Sequence, residues 1–226
     1  MKNLVFAAAL LLGTLVNAGM PLLAAAEKAG EWKSMFDGKT LNGWRGYKTQ
    51  TLPTGWHAAN GELINDGKGG DLMTVEQYGD FDMRFEWKIS PNGNSGVIYH
   101  IAETEQYPWQ TGPEYQILHN QGHSDGKLPI TQAGSDFAVV EVSKDTTKPV
   151  GEWNEGRIVV RGNHVEHWLN GVKVVQYETG SPDWQKRVQA SKFAKMPNYG
   201  RIKTGYIALQ DHGDVVSFRN LKIRKS

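Results

Sequence analysis

The segment FDMRFEWKI, residues 81–89, alternates without a break. Phe81, Met83, Phe85, Trp87 and Ile89 are apolar, and Asp82, Arg84, Glu86 and Lys88 between them are charged. A period of two is that of a β-strand with one face in a core and the other in solvent. Shorter runs repeat the theme and predict strands over 95–101, 114–118, entered through Gly112-Pro113, and 137–142. Runs 157–161, 164–169 and 172–177, separated by Gly162-Asn163 and Asn170-Gly171, predict a three-strand meander. Asn-Gly suits a type I′ hairpin, whose two central residues both need positive φ. Runs 206–210 and 215–223 predict a closing hairpin. In its second strand Val216 and Phe218 have one parity and Leu221 and Ile223 the other. A bulge near Arg219-Asn220 is therefore expected, returning all four to one face. The one expected helix lies around 182–193, capped by Ser181 or Asp183.

Many short strands with turn signals and no βαβ alternation predict an all-β antiparallel sandwich. Composition agrees: 26 Gly, eight Trp and eight Tyr in 226 residues favour a turn-rich β protein. The net charge of +1, with no Lys/Arg run, leaves no electrostatic footprint for nucleic acid or an anionic membrane surface. Residues 1–26 are read as a signal peptide, with Lys2 followed by an apolar run from Leu4 to Val16 and then small residues. Cleavage is placed after Ala26, with Ala18 as the alternative. Residues 27–226 are then one domain, exported to a bacterial periplasm or the cell exterior, and no later segment is apolar enough to span a membrane. The chain has no cysteine, so its stability must come from its core.

Familiar catalytic motifs are missing. There is no HExxH and no short-spaced His pair on a helix for zinc, His119 and His123 flanking a loop and His164 and His167 falling on opposite faces of a hairpin strand. There is also no GxSxG elbow, and no Walker or dinucleotide glycine fingerprint. No cofactor is required by the sequence, although a divalent ion held by oxygen ligands and one His stays open. Carboxylates say more. Laminarinase-like sandwiches carry their acid and nucleophile on one strand as E-x-D-x-x-E, whereas Glu114-Tyr-Gln-Ile-Leu-His119 keeps only the first. Double displacement then lacks its partner carboxylate, while Glu114 remains available as a base. Alternation puts Glu114 and Gln116 on one strand face, and Tyr206, Ala208, Gln210 and His212 together on one face of another. Asp211 falls on the opposite parity, where turn-shaping is the alternative role. Arg84 and Glu86 read either as a solvated pair or as site groups, and Trp168 as packing or as an aromatic platform for a sugar.

The segments FDGKTLNGW (36–44), GNSGVIYH (93–100), GPEYQILHN (112–120), GEWNEGRIVV (151–160), HWLNGVKV (167–174) and ALQDHGDVVSFRNLKIR (208–224) resemble the 3-keto-disaccharide hydrolase domain family. The likeness runs from about Trp32 to the end, in the family's order. It implies a concanavalin A-like jelly-roll sandwich acting on a small carbohydrate, a 3-keto-glycoside. The implied chemistry is removal of the C2 proton, 1,2-elimination and hydration of the glycal, which needs one base, an enolate stabiliser and an acid. On this resemblance Glu114 and His212 are expected to be catalytic. Arg84, Glu86, Ser95, His100, Gln116, Trp168, Gln210 and Asp211 are expected to bind substrate. A lectin-like sandwich without catalysis is the alternative from another class, since fold does not fix function. A conventional endo-glycosidase is the third reading.

Overall fold

The computed structural model describes Met1 and residues 30–226, so the expected leader lies outside the described residues. The described residues form thirteen strands: β1 (Lys33–Ser34), β2 (Trp44–Gly46), β3 (Trp56–Ala59), β4 (Glu62–Asn65), β5 (Leu72–Thr74), β6 (Phe81–Ile89), β7 (Asn94–Ile101), β8 (Glu114–Leu118), β9 (Asn154–Arg161), β10 (His164–Leu169), β11 (Val172–Glu178), β12 (Tyr206–Leu209) and β13 (Val216–Lys225). Among the described residues one α-helix, α1 (Pro182–Gln189), precedes β12. Among the described residues the strands form two antiparallel sheets. The larger runs β11-β10-β9-β6-β13-β4-β3, with β1 on β13, and the smaller runs β2-β5-β12-β7-β8. This is a concanavalin A-like jelly-roll sandwich.

The alternation in β6 decides its place. It lies between β9 and β13, and its five apolar side chains face inward at no more than 4% exposure. Phe85 meets Tyr115 of the opposite sheet edge-on, with centroids 5.3 Å apart, and Phe81 meets Tyr99 at 6.1 Å. Such pairs contribute about 0.5–1.5 kcal/mol each beyond area burial, so they fix how the sheets face each other. The expected bulge in β13 is present. Its register against β6 shifts between Arg219 and Lys222, Asn220 has φ +53°, and Val216, Phe218, Leu221 and Ile223 are all buried. Asn170 and Gly171 have φ +50° and +79°, as the hairpin required. Ser181 caps α1 by accepting from the Trp184 N–H at 3.1 Å.

One predicted strand is corrected. Residues 137–142 form turns with isolated bridges at Asp136 and Val140, because Ala138 takes φ +60° and both the Val139 and Val140 amides return to Asp136 O. These turns close the outer edge of β8. Gln116 N–H donates to Ser135 O, Gly134 N–H to Gln116 O, and Phe137 N–H to Glu114 O, at 2.8–3.1 Å.

A polar chain crosses the interior. His167 Nδ1 lies 3.0 Å from Gly134 O and must donate to it, so Nε2 accepts from the Tyr99 hydroxyl at 3.0 Å. Tyr99 in turn lies 2.7 Å from the Tyr177 hydroxyl, and Tyr199 donates to Asp136 Oδ1 at 3.2 Å. Burial holds His167 neutral, with its pKa pushed down to about 4, and raises Asp136 to about 7.

Candidate active site

Strand pairing carries five positions across the outer face of the smaller sheet in one row: Glu114 opposite Ile98, Ile98 opposite Ala208, Ala208 opposite Met73, and Met73 opposite Arg45. A second row joins Gln116 to Gly96, and Gly96 O accepts from the Gln210 N–H at 2.9 Å. Tyr115 and Ile117, of opposite parity, go to the core. The alternation of GPEYQIL and ALQ therefore does bring Glu114, Gln116 and Gln210 together.

Glu114 is 4% exposed. Its carboxyl lies over Gly96, where a Cβ would stand only 2.9 Å from Glu114 Cγ and Cδ. With its nitrogen turned toward acceptors, the Gln116 amide donates to Glu114 Oε1 and to Ser95 O, both at 3.0 Å. Burial raises the Glu114 pKa to about 8. Lys192 and a Gln210 hydrogen bond oppose the shift, and the Asp71 and Asp136 carboxyls reinforce it. Burial also raises Asp71, to about 6, against a hydrogen bond from the Asp211 N–H at 2.8 Å. Gln210 Oε1 is buried without a partner, an acceptor left for a donor from outside.

The strip between Glu114 and Arg45 is apolar. Met73, Ile98 and Ala208 form a small cluster with Ile101, and Tyr47, Trp109 and Tyr206 pack over it. Arg45 is fixed by both oxygens of Glu103 at 2.8 Å and lies over the Tyr206 ring. Tyr107, 46% exposed, stacks on Trp109 with centroids 5.5 Å apart and planes 7° from parallel. The Lys192 ammonium sits 4.3 Å from the Phe137 centroid and 5.3 Å from that of Trp109, and desolvation lowers its pKa. A cleft of about 420 Å³ between Tyr47, Pro53, Gly70, Asp71 and Tyr107 opens against this face. Aromatic surface around a buried acid and amides suits a sugar, whose C–H faces stack and whose hydroxyls both donate and accept.

The other expected residues lie outside these two rows. Ser95 pairs with Ile117 on the core face, and its hydroxyl donates to Gln210 O at 2.8 Å, so it positions Gln210 from behind. His100, with φ +55°, swings out of the β7 alternation to Gly79 O (2.9 Å) and packs edge-on against Phe81. Asp211 accepts from Gly70 N–H at 2.9 Å and Gly213 N–H at 3.0 Å, which is turn chemistry that also ties down the 70–71 loop. His212 is exposed on that turn. Arg84, Glu86 and Trp168 share the outer face of the larger sheet, across the sandwich from Glu114, where they line a separate cleft. Sequence reasoning missed Arg45, Asp71, Gly96, Trp109 and Lys192. Gly96 alone had a local signal, a glycine inside a strand. Among the described residues no three His, Asp or Glu side chains converge as metal ligands.

A jelly-roll whose sheet face holds an occluded acid among amides and aromatics defines a carbohydrate-active sandwich. The chain belongs to the 3-keto-alpha-glucoside-1,2-lyase-like domain family, which matches residues 31–224, and is a glycoside-cleaving enzyme. It is 33% identical to a Bacteroides thetaiotaomicron 3-keto-disaccharide hydrolase, over 93% of this chain and 84% of that protein. A Parabacteroides distasonis structure assigned provisionally as a glycosyl hydrolase is similar over 87% of this chain and 94% of that one, at 34% identity and a TM-score of 0.80. A Thermotoga petrophila laminarinase catalytic domain, at 10% identity, a TM-score of 0.52 and coverage of 88% and 98%, shares the fold alone.

Proposed function

We propose that this enzyme cleaves 3-keto-disaccharides by β-elimination and rehydration, with Glu114 as the proton-transfer group. The observation that carries the reading is the occluded Glu114 carboxyl on β8, raised to about 8 and held between Gln116 and Gln210. The position three residues beyond Gln116, where a laminarinase has its second Glu, is His119. A ketone at C3 acidifies the C2 proton. A base with a pKa near the working pH is suited to remove it. The C2–H electrons form the C2=C3 enolate, the C3 carbonyl then re-forms, and the C1–O bond breaks to leave a C1=C2 glycal and the aglycone. Water adds its oxygen to C1 and its proton to C2, for net hydrolysis. The Gln116 and Gln210 amides and the Lys192 ammonium are placed to hold the enolate oxygen and neighbouring hydroxyls. Asp71 or His212 supplies the proton to the leaving oxygen.

A disaccharide and its 3-keto derivative, each offered in deuterium oxide, test this. Turnover of the keto sugar alone, with deuterium at C2 of the product, is expected. Cleavage of the plain disaccharide, or product without C2 label, rules the mechanism out. Glu114→Gln is expected to lower kcat by at least about 10²-fold, in keeping with loss of a general base. His212→Ala separates His212 from Asp71→Asn as the acid.

Export belongs to the same reading and is supported by the charged start and apolar run of residues 1–26. N-terminal sequencing of the protein recovered from a periplasmic extract checks it, with Glu27 expected as the first residue.

A further inference from the structure

A cleft of about 620 Å³ lies on the outer face of the larger sheet and is lined by Trp32, Arg84, Glu86, Arg157, Trp168 and Lys222. Nothing in the reaction above uses it. Its volume is that of a small-ligand site, within the ordinary range of about 300–1,000 Å³. Its charges are unusual for a sheet surface. Arg84 on β6 pairs directly with Arg157 on β9 on one side and with Lys222 on β13 on the other. Three cations thus stand abreast on adjacent strands, an arrangement that destabilises a sheet unless anions offset it.

The chain offsets only part of it. Buried Asp82 takes both Arg157, at 2.7 and 2.8 Å, and Arg224, at 2.8 Å. Glu86 is taken by Arg219 and Asn220, each at 2.6 Å. Glu155, exposed, lines the cleft near Arg157 and is not within ion-pair distance of Arg84 or Lys222. Among the described residues, Arg84 and Lys222 have no carboxylate partner. Both sit against the Trp32 ring, at 5.1 and 5.4 Å from its centroid, and Trp168 closes the opposite side behind Arg157 at 5.4 Å. Two indoles bracket a pair of cations whose donors are unspent.

We propose that this cleft is a second saccharide site, selective for sugars bearing an anionic group. Arg84 and Lys222 receive the anion, and the edges of Trp32 and Trp168 flank the ring. The guanidinium supplies paired N–H donors that suit a carboxylate or a sulfate. The site faces away from Glu114, so one acidic polysaccharide chain can be held on one sheet while a sugar is processed on the other.

Calorimetry and tryptophan fluorescence with the full-length enzyme decide it, using a three-residue galacturonate, a sulfated disaccharide and neutral maltotriose as probes. At least one acidic probe is expected to bind, at least about tenfold more tightly than maltotriose, with affinity falling as salt is raised. The double variant Arg84→Gln/Lys222→Gln, at two surface positions outside the core, is expected to lose that preference. Glu114→Gln is expected to keep it, which separates this site from the catalytic face whatever the outcome there. The carboxylate and sulfate arms identify which anion is preferred. Equal binding of maltotriose, no binding of either acidic probe, unchanged binding in the folded double variant, or loss in Glu114→Gln each overturns the proposal.

Discussion

The position that shapes the candidate active site most directly carries no functional group. Gly96 has no Cβ, and the Glu114 carboxyl occupies the space one would fill. Gly96→Ala is therefore expected to push the carboxyl off Gln116, cutting kcat by about 10-fold or more while leaving the circular dichroism spectrum intact, in line with the cost of misplacing a reacting group. Full activity in a folded Gly96→Ala protein removes Glu114 from this geometry. The raised pKa gives a second outcome. If Glu114 is the base, kcat/KM rises with pH, is half-maximal near 8 and levels off above it, and a rate profile from pH 5 to 10 reads it directly. Glu114, Gln116 and Gln210 were legible in the sequence because two short strands alternate, and alternation assigns faces. Asp71 was not, since its partner Asp211 lies 140 positions away. Lys192 was also hidden, because it reaches the site from a short turn after α1 whose direction no periodicity encodes.

Strand β13 shows how far pattern carries. The switch of parity after Phe218 announced a bulge, and Asn220 in the left-handed region provides it, its side chain donating to Glu86 at 2.6 Å. Asn220→Val, a β-branched residue at φ +53°, is expected to cost about 1–3 kcal/mol, whereas Asn220→Gly is expected to cost far less. Urea denaturation of the two variants checks this, and equal stabilities refute the account. Other elements left no such trace. Strands β1 to β5 are two to four residues long, too short to show a period, and only their partners define them. The apolar run 137–142 misled for the opposite reason. Its three valines, Val139, Val140 and Val142, are buried, yet its backbone folds into turns, and burial alone does not distinguish a strand from a packed loop.

At the scale of the molecule, three carboxyls have raised pKa values: Glu114 at about 8, Asp136 at about 7 and Asp71 at about 6. The unfolded chain ionises each near its ordinary value, so it releases protons that the folded protein still holds. The stability these three contribute is then full below about pH 4 and declines as pH rises through 5 to 8. Glu114→Gln removes one of these three contributions. Its unfolding free energy is expected to match the wild type near pH 4 and to exceed it at pH 9, by an amount on the order of a few kcal/mol, as urea denaturation at the two pH values reads. A wild type that is more stable than this variant at pH 9 contradicts the burial argument. The closure of β8 has a different consequence. A sheet ending on a bare strand invites a neighbour's strand to extend it. Here the turn-forming stretch from Gly134 to Phe137 occupies that ladder, so the strand bearing Glu114 is denied to a second molecule even at high concentration. The same stretch holds Asp136 and Phe137 and is not itself a strand. Its sequence can therefore drift, and with it the surroundings of the acid, without unzipping a sheet.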